Sequence, residues 1–166
     1  MSDIAHLSKT LVDQMTRSGQ MVATAESCTG GMIAAAITDT AGSSAVLDRG
    51  FVTYSNAAKQ DMIGVSIATL EAHGAVSKQT AIEMAEGALA RSRADIAVSV
   101  TGVAGPGGGT SEKPVGLVHM ALARRGGQTA HKELQLGDIG RDAVRRATVA
   151  EALKLLVAEG TNGAAS

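Results

Sequence analysis

The chain has 166 residues, enough for one domain around one core. It is 45% hydrophobic and 19% charged, which excludes a disordered chain, and 15 Lys and Arg against 16 Asp and Glu leave a formal net charge of −1. No Trp, one Phe, one Tyr and no long basic run argue against a nucleic-acid partner, while a lone Cys28 excludes an intramolecular disulfide and a thiolate metal cluster.

Met1 to Leu7 shows no charged region leading into an apolar run, so no secretory leader is expected. No apolar stretch approaches the roughly 18 to 20 residues of a membrane span, so no membrane partner is expected and the cytoplasm is the default location. Ile4, Leu7, Leu11 and Met15 lie on one helical face, predicting a helix over 3–18 that Gly19 ends. Met21 to Ala25 reads as a short buried strand, Glu26 to Gly31 as a turn, and Met32 to Thr38 as helix. After the break at Ala41 to Ser44, Ala45 to Tyr54 is expected to be extended. Asn56 and Ser66 are the expected N-caps of short helices over 57–63 and 67–73. Ser77 opens a longer helix with Ile82, Met84, Ala85 and Leu89 inward. Asp95 to Val100 is a strand ending at Thr101-Gly102, followed by a loop to Pro114. Val115 to Ala123 and Thr129 to Leu136 form a hairpin around Arg-Arg-Gly-Gly. A last helix is expected from about Ile139 to Ala158, with Val144, Thr148, Ala152, Leu155 and Leu156 inward, and residues 160–166 form a flexible tail. Strands separated by helices, with one hairpin, predict a three-layer α/β/α sandwich with a mixed, mostly parallel sheet, in one domain over 1–159.

Three segments carry possible chemistry. In Thr24 to Gly31, apolar residues lead into Ser27, Cys28 and Thr29, and the glycines Gly30 and Gly31 precede a helix. Exposed amides there suit an anion, either a phosphate or the oxyanion of an attacked amide; the competing reading is an ordinary helix cap. In Gly50 to Lys59, both aromatics of the chain and a Lys fall together, so Tyr54 and Lys59 face a common site or Lys59 is a solvated helix residue. In Thr101 to Thr110, the glycines at 102, 105, 107, 108 and 109 follow a buried strand, where α/β proteins place ligands. That loop is neither a P-loop nor a Gly-x-Gly-x-x-Gly fingerprint, and a ligand-free connection is its alternative. His6, His73, His119 and His131 show no His-x-x-x-His pair, so no metal site is expected. Arg141 and Arg145 share a helical face by their spacing of four; they suit a phosphate, or ion pairs with Asp138 and Asp142.

Together the blocks Thr24-Ala-Glu-Ser-Cys-Thr-Gly-Gly31, Ala41-Gly-Ser-Ser44, Arg49-Gly-Phe-Val-Thr-Tyr-Ser-Asn-x-x-Lys59, Gly102-x-Ala-Gly-Pro-x-Gly-Gly109 and Lys113-Pro-Val-Gly116 resemble the CinA C-terminal domain family, from about residue 4 to 158. The family's stand-alone members include nicotinamide-nucleotide amidases. The resemblance implies hydrolysis of nicotinamide mononucleotide to nicotinate mononucleotide and ammonia, an α/β/α fold and a homodimer. It places the family's nucleophile on Ser27, its Lys on Lys59 and its Tyr on Tyr54. On this reading Ser27 attacks the carboxamide, Lys59 takes its proton, and Tyr54 orients Lys59 or relays a proton to the departing nitrogen. An ordinary Lys costs roughly 4.6 kcal/mol to neutralise near pH 7, so the scheme requires Lys59 to be buried. Amides of Ser27, Cys28, Thr29, Gly30 and Gly31 are the expected oxyanion donors. Thr101, Gly102, Gly105, Gly107, Gly108 and Arg141 are expected to hold the substrate, its phosphate included. No cofactor is expected, because the reaction is acyl transfer to water. Two other classes compete: a non-catalytic nucleotide-binding or regulatory module, and a partner of DNA-uptake or repair machinery, against which the absent basic patch counts.

Overall fold

The computed structural model describes residues 2–164, with side chains over 3–160. Helix α1 (Ser2–Ser18) buries Leu11 and Met15 fully, with Ile4 and Leu7 at the rim of the same face. Strand β1 (Val22–Glu26) leads into α2 (Met32–Thr38), and a 3-10 turn over Ser43–Ala45 precedes β2 (Leu47–Val52). Three helices follow, α3 (Asn56–Ile63), α4 (Ile67–His73) and α5 (Lys78–Ala90). Strands β3 (Ile96–Gly102), β4 (Leu117–Arg124) and β5 (Ala130–Gln135) complete the sheet, and α6 (Arg141–Ala164) closes the chain.

The sheet order is β2-β1-β3-β4-β5, with β1 parallel to β2 and β3, and β4 antiparallel to β3 and β5. Four strands therefore run in one direction and β4 against them, the mixed α/β sandwich expected. Side-chain alternation gives the two faces different sizes. Val22, Ile96, Val98, Val100, Val118, Met120 and Leu122 point to the layer of α1, α2 and α6. Ala23, Ala25, Ala97, Ala121 and Ala123 point the other way, and this alanine floor lets α5 lie close through Ala81, Ala85 and Ala88. The chain leaves β1 toward β2 and leaves β3 toward β4. The crevice between the carboxyl ends of β1 and β3 is thus the topological switch point, where α/β folds bind ligands.

Gly87 of α5 fixes where α3 sits: a Cβ there would lie 1.9 Å from the carbonyl oxygen of Ile63, the last residue of α3. Gly87→Ala is expected to destabilise the protein by about 2 kcal/mol, because backbone must move to admit the methyl. Thermal unfolding should show a midpoint lower by roughly 4–8 °C.

Several boundaries differ from the sequence reading. The cap of α3 is Ser55, whose hydroxyl accepts from the Ala58 amide, and Asn56 is already helical. Strand β2 begins at Leu47 rather than Ala45 because Ser43–Ala45 coil into the 3-10 turn, and it stops at Val52, short of Tyr54. Helix α6 starts at Arg141 and runs past Ala158 to Ala164, so the chain does not break at Gly160; residues 165–166 of the expected tail lie outside the described residues.

Candidate active site

Ser27 follows the last residue of β1, and its amide donates to the Val100 carbonyl of β3 at 3.1 Å, which seats it in the crevice. The turn after it is held from both sides. On one side the buried Glu26 carboxylate accepts the Thr29 hydroxyl at 2.5 Å and the amides of Ile33 and Ala34 at 2.9 and 3.0 Å, supplying the acceptors that the first turn of α2 otherwise lacks. On the other side Arg145 of α6 donates to the carbonyls of Cys28 and Thr29 at 3.1 and 3.3 Å. Gly30 and Gly31 take φ of +59° and +107°, conformations that a side chain would strain. Among the described residues, the amides of Cys28 and Thr29 find no backbone acceptor; Thr29 is fully buried, and the Cys28 amide, which meets only its own thiol, is the one available to a ligand.

Lys59 enters from α3, 32 residues away in sequence, and is only 1% exposed. Its Nζ lies 2.9 Å from Ser27 Oγ, and it donates to the backbone carbonyls of Thr53 at 2.7 Å and Tyr54 at 3.3 Å. Burial disfavours the ammonium and lowers its pKa from 10.5 to about 8, against a smaller opposing pull from the Cys28 thiol. Burial likewise raises the Cys28 pKa to about 11. At neutral pH the thiol is protonated and a poor nucleophile, although it is the neighbour of Ser27.

The cavity over this pair has a volume of about 300 Å³, and Ser27, Lys59, Thr101, Gly105, Gly107 and Arg141 are among its walls. Cys28, Tyr54, Gly102 and Gly108 line it too, together with Ala75 and Val76, which the sequence did not single out. Thr29, Gly30 and Gly31, further along the turn, are not among the cavity walls. Thr101 spends its hydroxyl on the Ala75 carbonyl at 2.8 Å. Tyr54 is 61% exposed; its hydroxyl meets Arg141 at 3.1 Å, and what Lys59 receives from it is the backbone carbonyl. Arg141 also donates to the Gly105 carbonyl at 2.7 Å, tying the glycine loop to α6. Arg141 and Arg145 of α6 thus go to different places, and the ion pair of Asp142 is with Arg146. Glu26, within a quoted motif but given no role, had a readable signal: a lone carboxylate ending an apolar strand must find partners. Among the described residues no group of three or more metal-ligating side chains is assembled, and no helix is long and apolar enough to cross a membrane.

Comparison with known proteins agrees with this architecture. The chain is 54% identical over 156 residues to nicotinamide-nucleotide amidohydrolase PncC of Escherichia coli strain K12, covering 93% of each. It is 51% identical to a CinA-like protein of Anaeromyxobacter dehalogenans, where the match covers 88% of this chain and 35% of that one. The crystal structure of the competence/damage inducible protein CihA from Agrobacterium tumefaciens superposes with a TM-score of 0.93 at 60% identity, over 94% of both chains. The family model described as the CinA C-terminal domain matches residues 4–159, and the chain belongs to that family.

Proposed function

We propose that this protein is an amidohydrolase that converts nicotinamide mononucleotide and water to nicotinate mononucleotide and ammonia, with Ser27 as nucleophile and Lys59 as base. The substrate class comes from the name of the PncC relative; the observation that carries the chemistry is Lys59 Nζ, buried, 2.9 Å from Ser27 Oγ. At pH 7 a pKa of about 8 leaves about one amine in ten neutral, at a cost of roughly 1.4 kcal/mol, against roughly 4.6 kcal/mol for an ordinary lysine.

The steps follow from that pair. Neutral Lys59 takes the Ser27 proton as Oγ bonds to the carboxamide carbon, and the carbonyl electron pair moves onto oxygen. The amide of Cys28, on the cavity wall, receives that oxyanion. Collapse breaks the C–N bond, and the Lys59 ammonium returns the proton to the leaving nitrogen, releasing ammonia. Water, deprotonated by Lys59, then attacks the acyl-serine ester; the C–Oγ bond breaks and the Lys59 ammonium returns the proton to Ser27 Oγ. The carbonyls of Thr53 and Tyr54 hold Lys59 in place throughout, so Tyr54 orients Lys59 through its backbone. Its hydroxyl and Arg141, with Gly105, Gly107 and Gly108, form the wall suited to the ribose phosphate.

A nucleotide-binding module without chemistry has no use for a desolvated lysine against a serine. For the working form we favour a cytoplasmic homodimer. The dimer is supported by apolar surface at the β2 edge of the sheet, where Val52 of β2 and Met62 of the adjacent α3 are exposed. Incubating the purified protein with nicotinamide mononucleotide and assaying ammonia tests the reading; nucleotide binding without ammonia would overturn it.

A further inference from the structure

Arg145 lies outside the cavity and outside the proton transfers, yet it makes a specific pair of bonds to the turn that follows the nucleophile. Its Nε donates to the Cys28 carbonyl and one Nη to the Thr29 carbonyl, a two-pronged grip that suits the planar guanidinium fork. The peptide between Cys28 and Thr29 is trans, so holding the Cys28 oxygen on the α6 side turns the Thr29 N–H to the opposite side. The preceding peptide is fixed in the same way, because the Ser27 carbonyl accepts from the Gly30 amide at 3.1 Å and so directs the Cys28 N–H away from Gly30. The Thr29 carbonyl, held by Arg145, in turn orients that Gly30 amide, so the grip also sets the Cys28 N–H, which finds no backbone acceptor among the described residues. A donor on the carbonyl of a peptide also polarises the N–H at its other end, strengthening it as a donor.

Resting on the amidase reading above, we propose that Arg145 is a positioning residue: its guanidinium, by holding the Cys28 and Thr29 carbonyls, fixes the turn so that the Cys28 amide stays aimed at the oxygen of the attacked carboxamide. The role differs from that of Arg141, one turn earlier on α6, which reaches the cavity rim through Gly105 and Tyr54. It also differs from the phosphate contact that the spacing of Arg141 and Arg145 suggests, since Arg145 points its Nε and one Nη at backbone carbonyls and is not on the cavity wall.

The test is steady-state turnover of nicotinamide mononucleotide by wild type, Arg145→Met and Arg145→Lys, with KM, kcat and the pH profile read separately. Because oxyanion contacts strengthen in the transition state, Arg145→Met should lower kcat about a hundredfold with KM within about twofold. Arg145→Lys, with one point donor in place of a fork, should recover about tenfold of that loss. The rise of activity through about pH 8 should keep its midpoint in both, because Lys59 is untouched. A merely structural arginine would instead leave the kcat of the folded fraction unchanged. Wild-type kcat in Arg145→Met, or a loss confined to KM, overturns the proposal. Should Arg145→Met fail to fold, wild-type kcat in Arg145→Lys overturns it. No ammonia from wild type sinks the amidase reading and this proposal with it, an outcome distinct from active wild type beside an equally active variant.

Discussion

Ser27→Ala is expected to lower kcat for nicotinamide mononucleotide by about ten-thousand-fold or more while leaving the fold and nucleotide binding intact. The fold should survive because the hydroxyl is a small group in a turn held by Glu26 and Arg145, and Lys59 keeps its bonds to the Thr53 and Tyr54 carbonyls. Residual turnover should not come from Cys28, although it stands next in sequence and borders the same cavity. Its thiol, pushed up to about 11 by burial, is protonated at every pH where the enzyme would be assayed near neutrality. Ammonia release by Ser27→Ala, measured with thermal unfolding and nucleotide binding on the same sample, checks the expectation. Activity near wild type in this variant would remove Ser27 from the mechanism.

Lys59 carries the second large effect. Lys59→Ala should lose kcat on a similar scale, since neither the attack nor the departure of ammonia then has its proton carrier. In wild type the same residue sets a pH dependence. Only the neutral amine can accept the serine proton, and the amine is protonated below its pKa. Activity should therefore rise about tenfold per pH unit below about 8 and level off above it. Stability should move the same way. The folded pKa of about 8 lies below the 10.5 of an unperturbed lysine, so between these values the unfolded chain binds the proton and the folded one does not. Unfolding free energy from this residue thus rises with pH across that window, with the burial penalty complete below about 8 and gone above 10.5. A kcat/KM profile flat from pH 6 to 9 would contradict the assigned base.

Most of the fold was legible in the sequence, because periodicity and turn chemistry are local signals. The face of α1, the strand before Ser27, the caps Ser66 and Ser77 and the hairpin at Arg124 to Gly127 all read directly. The boundaries that shifted did so where two local signals competed. Ser55 and Asn56 are both good caps, and only the backbone angles decide for Ser55. Around Ala45 the apolar run hid the 3-10 turn that Ser43 and Ser44 begin. The site was less legible. Ser27 sits in the turn after β1 and Lys59 on α3, which follows β2, so their contact depends on the β2-β1-β3 order, which no local pattern encodes. The family resemblance put them together where spacing alone left Lys59 equally at home in solvent. Tyr54 shows the limit of reading side-chain types: the contact to Lys59 runs through its carbonyl, which any residue at that position supplies. The work of Arg145 is invisible for the same reason, because its partners are main-chain oxygens rather than side chains.

The central claim is a covalent intermediate on Ser27 formed with Lys59 as base. Its most direct test is a single turnover with excess enzyme over nicotinamide mononucleotide, quenched in acid at successive times, digested and read by mass spectrometry. The account predicts that the peptide containing Ser27 carries the nicotinate mononucleotide acyl group transiently, on Ser27 itself, and that the adduct appears before nicotinate mononucleotide accumulates. Product formed in full while Ser27 stays unmodified at every time, or the acyl group found on Cys28 or Lys59, would contradict it.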